Sequence, residues 1–231
     1  MRIRWPLVAV AAATLVAAGC AGQPAPVAEP ATASADAPVV LFLGDSYTEG
    51  TGLATEDLQS RWSTVLADRR GWQEVNAGCN GSGYTRPGAT CGNTYAERLP
   101  SLDASDPDIV IVSGGVNDLG ATPETIDSQV SQTFTELRDT FPGAQLYAVN
   151  GIYYTGNETP PLLDYLNESV SSAVTRVEGT YLNIGDPLLG HPELMARDGL
   201  HPNPAGHLLI ADLTQSALQQ TDEFTLSQQA G

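Results

Sequence analysis

One stretch constrains this chain more than any other: Val39-Val40-Leu41-Phe42-Leu43, closed by Gly44-Asp45-Ser46-Tyr47-Thr48-Glu49-Gly50. Five apolar residues in a row, led by β-branched types, suit a short strand buried on both faces. Gly44 breaks that strand, and Asp45-Ser46 stand at the turn beyond it. A serine there projects from the C-terminal edge of a sheet, where open α/β folds put their ligand sites. If a helix follows, its first N–H groups lie beside the hydroxyl. Such a serine is placed to attack a carbonyl, provided the chain also supplies a base and an oxyanion hole.

From Pro38 onward the pattern alternates strand and helix. Thr55 is a cap for a helix running to about Arg69, which Gly71 ends. Residues 73–77 read as a second strand, followed by the glycine-rich loop Gly78-Cys79-Asn80-Gly81-Ser82-Gly83 and a short helix near 94–99. Asp108-Ile109-Val110-Ile111-Val112 is a third strand, stopped by Gly114-Gly115. Thr122-Pro123-Glu124 has a capping hydroxyl, a first-turn proline and an early acid, and predicts a helix to about Thr140. Strands at 145–149 and 180–184 flank a helix at 162–177, and a last helix opens after Asn203-Pro204. Five strands joined by crossovers imply a parallel sheet with right-handed connections. A chain of 231 residues, 42% hydrophobic, suits one such domain, here 38–220. The acidic, Gln-rich end, 221–231, reads as a frayed tail.

The N-terminus is not part of that core. Arg2 and Arg4 precede an apolar run from Trp5 to Ala18, the pattern of a signal peptide over 1–19. Ala17-Ala18-Gly19-Cys20 resembles the lipobox of bacterial lipoproteins, with alanine at 17 where leucine is usual. The expectation is an exported protein, anchored by lipid on Cys20 to the outer face of the cell membrane or envelope. The alternative is secretion after ordinary cleavage near the same point. Residues 20–37 form a Pro/Ala-rich flexible spacer. Cleavage before Cys20 removes two arginines and no acids, leaving 8 Arg against 27 Asp and Glu, a net charge of −19. That surface repels nucleic acid, which is excluded as a partner. With Cys20 assigned, Cys79 and Cys91 remain, and two cysteines in an exported domain usually pair. The bridge would close a loop with 11 residues between its ends, a stabilisation of about 3 kcal/mol by the chain-entropy relation. The alternative, a metal pair, lacks further ligands.

Three further clusters follow strands on the same sheet edge as Ser46: the loop containing Gly81, the block Gly115-Val116-Asn117-Asp118, and the block Asp198-Gly199-Leu200-His201. Together with Gly44-Asp45-Ser46 they resemble, in order and over about residues 38–218, the four blocks of the GDSL, or SGNH, hydrolases. The resemblance implies a flavodoxin-like three-layer α/β/α sandwich on a five-stranded parallel sheet, and ester or thioester hydrolysis without metal or organic cofactor. It makes Ser46 the nucleophile, His201 the general base and Asp198 the residue that orients the imidazole. The oxyanion hole would comprise the N–H groups of Ser46 and Gly81 and the Asn117 amide, with Gly78 as the rival of Gly81.

The bland readings are that Asp45 fixes its turn, that Asp118 braces its loop through backbone hydrogen bonds, and that His207 packs. His191 lines the cleft or nothing. Tyr47, Tyr84, Tyr153 and Tyr154 are either a wall near the site or simple packing. The expected partner is an acyl ester, glycan or lipid, hydrolysed by a monomer through an acyl-enzyme, with short acyl chains favoured because no lid helix is evident. Alternatives are an acyltransferase using the same serine, a long-chain lipase or lysophospholipase, and, least in keeping with an intact triad, a non-catalytic binding lipoprotein.

Overall fold

In a computed structural model, which describes residues 36–102 and 106–229, strand β1 (Val39–Gly44) pairs in parallel with β2 (Gln73–Gly78) on one side and β3 (Ile109–Ser113) on the other. The expected signal peptide, Cys20, nearly all of the expected spacer and residues 230–231 lie outside the described residues. Strands β4 (Gln145–Val149) and β5 (Thr180–Leu182) complete a parallel sheet of order β2-β1-β3-β4-β5. This is the doubly wound order in which the winding reverses between β1 and β3, so the crevice opens above those two strands.

The unbroken apolar runs follow from coverage on both faces. Val40 and Phe42 of β1 and Ile109 and Ile111 of β3 point to one side, beneath α2 (Trp62–Arg70) and α6 (Pro204–Gln229). Leu41, Leu43, Val110 and Val112 point to the other, beneath α3 (Tyr95–Arg98), α4 (Pro123–Thr140) and α5 (Pro161–Arg176). Phe42 and Trp62 meet edge to face at 5.3 Å. Each such side chain, fully buried, contributes about 2 kcal/mol relative to exposure.

Three elements differ from the sequence reading. The helix expected from Thr55 is divided: Thr55–Ser60 forms a 3-10 turn, and α2 starts only at Trp62. Arg61 between them is extended (φ −54°, ψ 139°), and the Trp62 N–H is taken by His207 Nδ1 of α6 at 3.3 Å. Packing of Trp62 against the sheet outweighs the local helix pattern. Strand β5 ends at Leu182, because Ile184 N–H turns to the Asn150 side-chain oxygen at 2.8 Å. The last helix continues to Gln229, across the segment assigned to a frayed tail. Arg70 reaches back to Asp222 at 3.0 Å, and Thr221 Oγ1 bonds Ala217 O at 3.1 Å.

The register sets the rim of the sheet. Gly44 lies level with Gly78 and with Ser113, and Ser113 with Val149, so the loops after β1, β2, β3 and β4 leave from one line.

His207 is fully buried, which pushes its pKa down to about 4; the positive charge of Arg61, and that of His201 when protonated, add to the effect. The unfolded chain takes up the proton near pH 6.5 and the folded one only near 4, so this residue's contribution to stability is intact above 6.5 and is lost as pH falls toward 4. Asp45, raised to about 7 by burial, tilts the other way over the same range, so the wild-type slope alone is uninformative. In urea unfolding at pH 7 and pH 4, His207→Gln, which keeps an acceptor for Trp62, is expected to gain roughly 3 kcal/mol relative to wild type on acidification.

Candidate active site

Ser46 is the first residue of α1 (Ser46–Glu49), and Asp45 caps that turn by accepting the Tyr47 N–H at 2.9 Å. The short helix lies directly on the end of β2: a Cβ at Gly78 would overlap the backbone of Thr48 and Glu49. Asp45 is thus a turn residue. Its burial raises its pKa to about 7, and the Asp118 charge adds to the rise, while the Tyr47 N–H and Arg98 oppose it.

The glycine-rich loop distinguishes its two candidate donors. Gly78 N–H is consumed by Asn76 Oδ1 at 2.9 Å. The Asn80 carbonyl accepts from Ala89 N–H at 2.7 Å, and in a trans peptide the N–H of the next residue, Gly81, points the opposite way. Among the described residues nothing accepts it. Gly81 has φ +74°, a conformation that favours glycine. Cys79 and Cys91 are bridged, and the disulfide packs on Gly88, where a Cβ would strike both sulfurs.

Asn117 stands in the 3-10 turn Val116–Asp118 after β3. Its Nδ2 donates one hydrogen to Ser82 O at 2.9 Å, which aims the amide and leaves the second hydrogen free. Asp118 faces away, buried under the loop of residues 84–86. It accepts from Tyr84 N–H (3.0 Å), Thr85 N–H and Oγ1 (2.8 Å each) and Arg86 N–H (3.2 Å). It is a brace. Burial raises its pKa despite these donors.

The Asp198 carboxylate is wrapped by its own loop. Oδ1 accepts the N–H groups of Leu200 (2.9 Å) and His201 (3.0 Å), and Oδ2 lies 2.7 Å from His201 Nδ1. Its partial burial pushes its pKa up, but the His201 ring and these two N–H groups outweigh that and hold it at about 2. An ionised carboxylate only accepts, so Nδ1 carries a proton, and in the neutral imidazole the lone pair is then on Nε2. One contact ties this loop to the Ser46 turn: the Tyr47 hydroxyl donates to Leu200 O at 2.9 Å, and the Tyr47 ring stands edge-on to His201 at 6.2 Å.

Ser46, Asn117 and His201 line one cavity of about 70 Å³, with Asn80, Ile152, Tyr154 and Leu200 among the other walls. Gly81 and Asp198 stand one step behind the wall, through Asn80 and His201 respectively. No hydrogen bond joins Ser46 to His201 among those described; such bonds often tighten only around a bound substrate. Of the four tyrosines, Tyr47 and Tyr154 face the cavity. Tyr153 packs on Tyr154 at 5.6 Å, and Tyr84 is fully buried against Tyr95 and Phe134. His191 is exposed, beside Glu193 at 2.8 Å, and away from the cavity. Asn80, Ile152 and Leu200 escape the sequence reading. Asn80 and Leu200 sit inside recognised blocks, but nothing local indicates which way they point.

The GDSL-like lipase/acylhydrolase family matches residues 42–209. The chain belongs to that family. By that membership it is a carboxylic ester hydrolase. It is 32% identical over 185 residues to the GDSL lipase Rv0518 of Mycobacterium tuberculosis, covering 75% of this chain and 78% of that protein. It is 28% identical to an arylesterase of Vibrio mimicus, over 78% of this chain and 87% of the relative. The fold is similar to that of the psychrotrophic esterase EstA from Pseudoalteromonas sp., with TM-score 0.64 and 20% identity, covering 80% of this chain and 99% of that one.

Tyr47 occupies the place of the leucine that names the family, and leucine could not donate to Leu200. Tyr47→Phe removes only the hydroxyl. It is expected to lower kcat on a simple ester by roughly three- to tenfold, the kinetic equivalent of one neutral hydrogen bond of about 1 kcal/mol, with an unchanged far-UV spectrum. Unaltered kcat would show that the latch does not hold the loop during turnover.

Proposed function

We propose that this protein is an exported serine esterase that cleaves short acyl esters through an acyl-enzyme. Ser46 Oγ attacks the ester carbonyl while His201 Nε2 takes its proton. Asp198 holds the other ring nitrogen and stabilises the imidazolium that forms. The tetrahedral oxyanion is received by the N–H groups of Ser46 and Gly81 and by the free Asn117 amide hydrogen. Collapse expels the alcohol, protonated by His201, and water then repeats the sequence on the acyl-enzyme to release the acid.

The observation that carries this reading is the Asp198–His201 hydrogen bond at the wall of the one cavity that also holds Ser46 and Asn117. The cavity's size supports a short acyl group: about 70 Å³ is roughly half of a cavity that takes up benzene. The half-buried ring of Tyr154 beside it suits an alcohol portion with a flat face, such as a cell-envelope sugar. Export and tethering are supported by the N-terminal sequence through Cys20, and by a disulfide of a kind that persists in oxidising compartments. Among the side chains described up to residue 223, Leu200 and Leu208 are the exposed large hydrophobics, which favours a monomer.

Ser46→Ala should lower turnover of 4-nitrophenyl acetate by about 10³-fold or more with the fold intact, and a serine-directed phosphonate should label Ser46. Labelling elsewhere, or an active Ser46→Ala, would overturn the mechanism. Asn117→Ala is expected to reduce kcat about 10²-fold with little change in KM, because the oxyanion exists mainly in the transition state. Across 4-nitrophenyl esters, turnover should peak between acetyl and butyryl, and a rise past decanoyl would favour a long-chain lipase. Addition of carbohydrate acceptors tests for transfer instead of hydrolysis. For the anchor, Cys20→Ser should move the protein from the membrane fraction to the medium; wild type already in the medium would mean plain secretion.

A further inference from the structure

Arg98, the last residue of α3, is 5% exposed and makes no ion pair among the described residues. A buried guanidinium without a carboxylate is costly, so its surroundings must supply the compensation. Asp45 and Glu49 act on it through space, and its direct partners are oxygens belonging to the frame of the active site. Nη1 donates to Ala77 O at 2.6 Å, and Nη2 donates to Gly44 O at 2.9 Å and to Ser82 Oγ at 3.3 Å. The guanidinium also lies 5.3 Å from the centre of the Tyr95 ring. Ala77 O and Gly44 O are carbonyls at the C-terminal ends of β2 and β1, the edge at which Ser46 stands.

Two consequences follow from those contacts. First, Gly44 O receives Arg98 together with the Cys79 N–H at 3.0 Å, which pins the end of β1 to the start of the glycine-rich loop. Ser82 Oγ accepts from Arg98 and passes its own hydrogen to Cys79 O at 2.7 Å, closing the loop on itself. Ser82 is the residue after Gly81, and its carbonyl holds the Asn117 amide. Both donors assigned to the oxyanion hole beyond the nucleophile therefore hang from a segment that Arg98 clamps. Second, strand-end carbonyls present negative partial charge at the place where a tetrahedral intermediate would develop more of it. A fixed cation behind them offsets that charge in a dry setting, where its field is weakly screened.

We propose that Arg98 is the positioning cation of the oxyanion hole: it clamps the loop that carries Gly81 and holds the Asn117 amide, and it offsets the strand-end carbonyls beneath the developing oxyanion. The inference rests on the serine-esterase reading above. The test is steady-state kinetics of Arg98→Lys, Arg98→Met and Ser82→Ala on 4-nitrophenyl acetate, with thermal melts and far-UV spectra of each. Arg98→Met is expected to lose about 10²-fold in kcat, the scale of one oxyanion donor, with KM changed less than about threefold. Arg98→Lys keeps the charge and loses the fork, so it should recover part of that loss. Ser82→Ala removes a single acceptor of the clamp and should reduce kcat by several-fold at nearly wild-type stability.

Folded Arg98→Met with kcat within about threefold of wild type would overturn the proposal. So would losses that track only the folded fraction, with no recovery in Arg98→Lys. If Arg98→Met does not fold, Arg98→Lys and Ser82→Ala decide: both retaining wild-type kcat overturns the clamp. Ser46→Ala measured alongside separates the two failures. An inactive Ser46→Ala with unaffected Arg98 variants removes this inference alone, whereas an active Ser46→Ala removes the serine-esterase reading beneath it.

Discussion

The parallel pairing of β1 with both β2 and β3 is the constraint from which the rest of the molecule follows. Because Gly44, Gly78 and Ser113 lie level, three connections leave the sheet side by side at the point where the winding reverses. The connection after β1 carries Ser46, the one after β2 carries Gly81, and the one after β3 carries Asn117. Glycine at Gly44 and Gly78 is a packing requirement here. A Cβ at Gly44 would collide with Thr48 and Ser113, and one at Gly78 with the backbone of α1. The close seating of α1 on the sheet edge is what holds the serine at a set height above the rim.

Around that rim, polar groups divide into those that hold and those that face the cavity. Asn76, Asp118, Ser82 and Arg98 are spent on backbone atoms and fix loops. Asn117 spends one hydrogen on Ser82 and keeps the other, while His201 spends Nδ1 on Asp198 and keeps Nε2. A group that is half committed has a fixed direction and a free valence, which is the condition for acting on a substrate without reorganising. The Tyr47–Leu200 bond extends the same logic across the cleft, since it joins the turn of Ser46 to the loop that carries the His201 imidazole.

The acidity of the chain has little to do with this chemistry. Near the site, buried Asp45 and Asp118 are drawn toward protonation by loss of water, and Arg98 supplies the local positive charge. Asp198 alone among these carboxylates is held firmly ionised, because three N–H donors converge on it. Environment, not residue type, separates the one carboxylate bonded to the histidine ring from the two that brace turns.

What the sequence determined by itself was the topology and the cast. Runs such as Val39–Leu43 and Ile109–Val112 have no polar face, so they had to be strands covered on both sides. The glycine and Asx stops after them had to lie at strand ends, and the four blocks could be assigned in order to one edge. The tertiary structure decided matters that depend on direction and on contacts far apart in the chain. Gly81 and not Gly78 keeps an unbonded N–H because Asn76 occupies that of Gly78, and α2 begins late because His207 of α6 takes the Trp62 N–H. Tyr84 left the cleft for the core, and Arg98, an ordinary helical arginine when read along the chain, became the cation beneath the site. Hydrophobic period and turn chemistry are local and can be read from neighbours. The orientation of a peptide, or the partner of a buried charge, is set by residues that folding alone brings near.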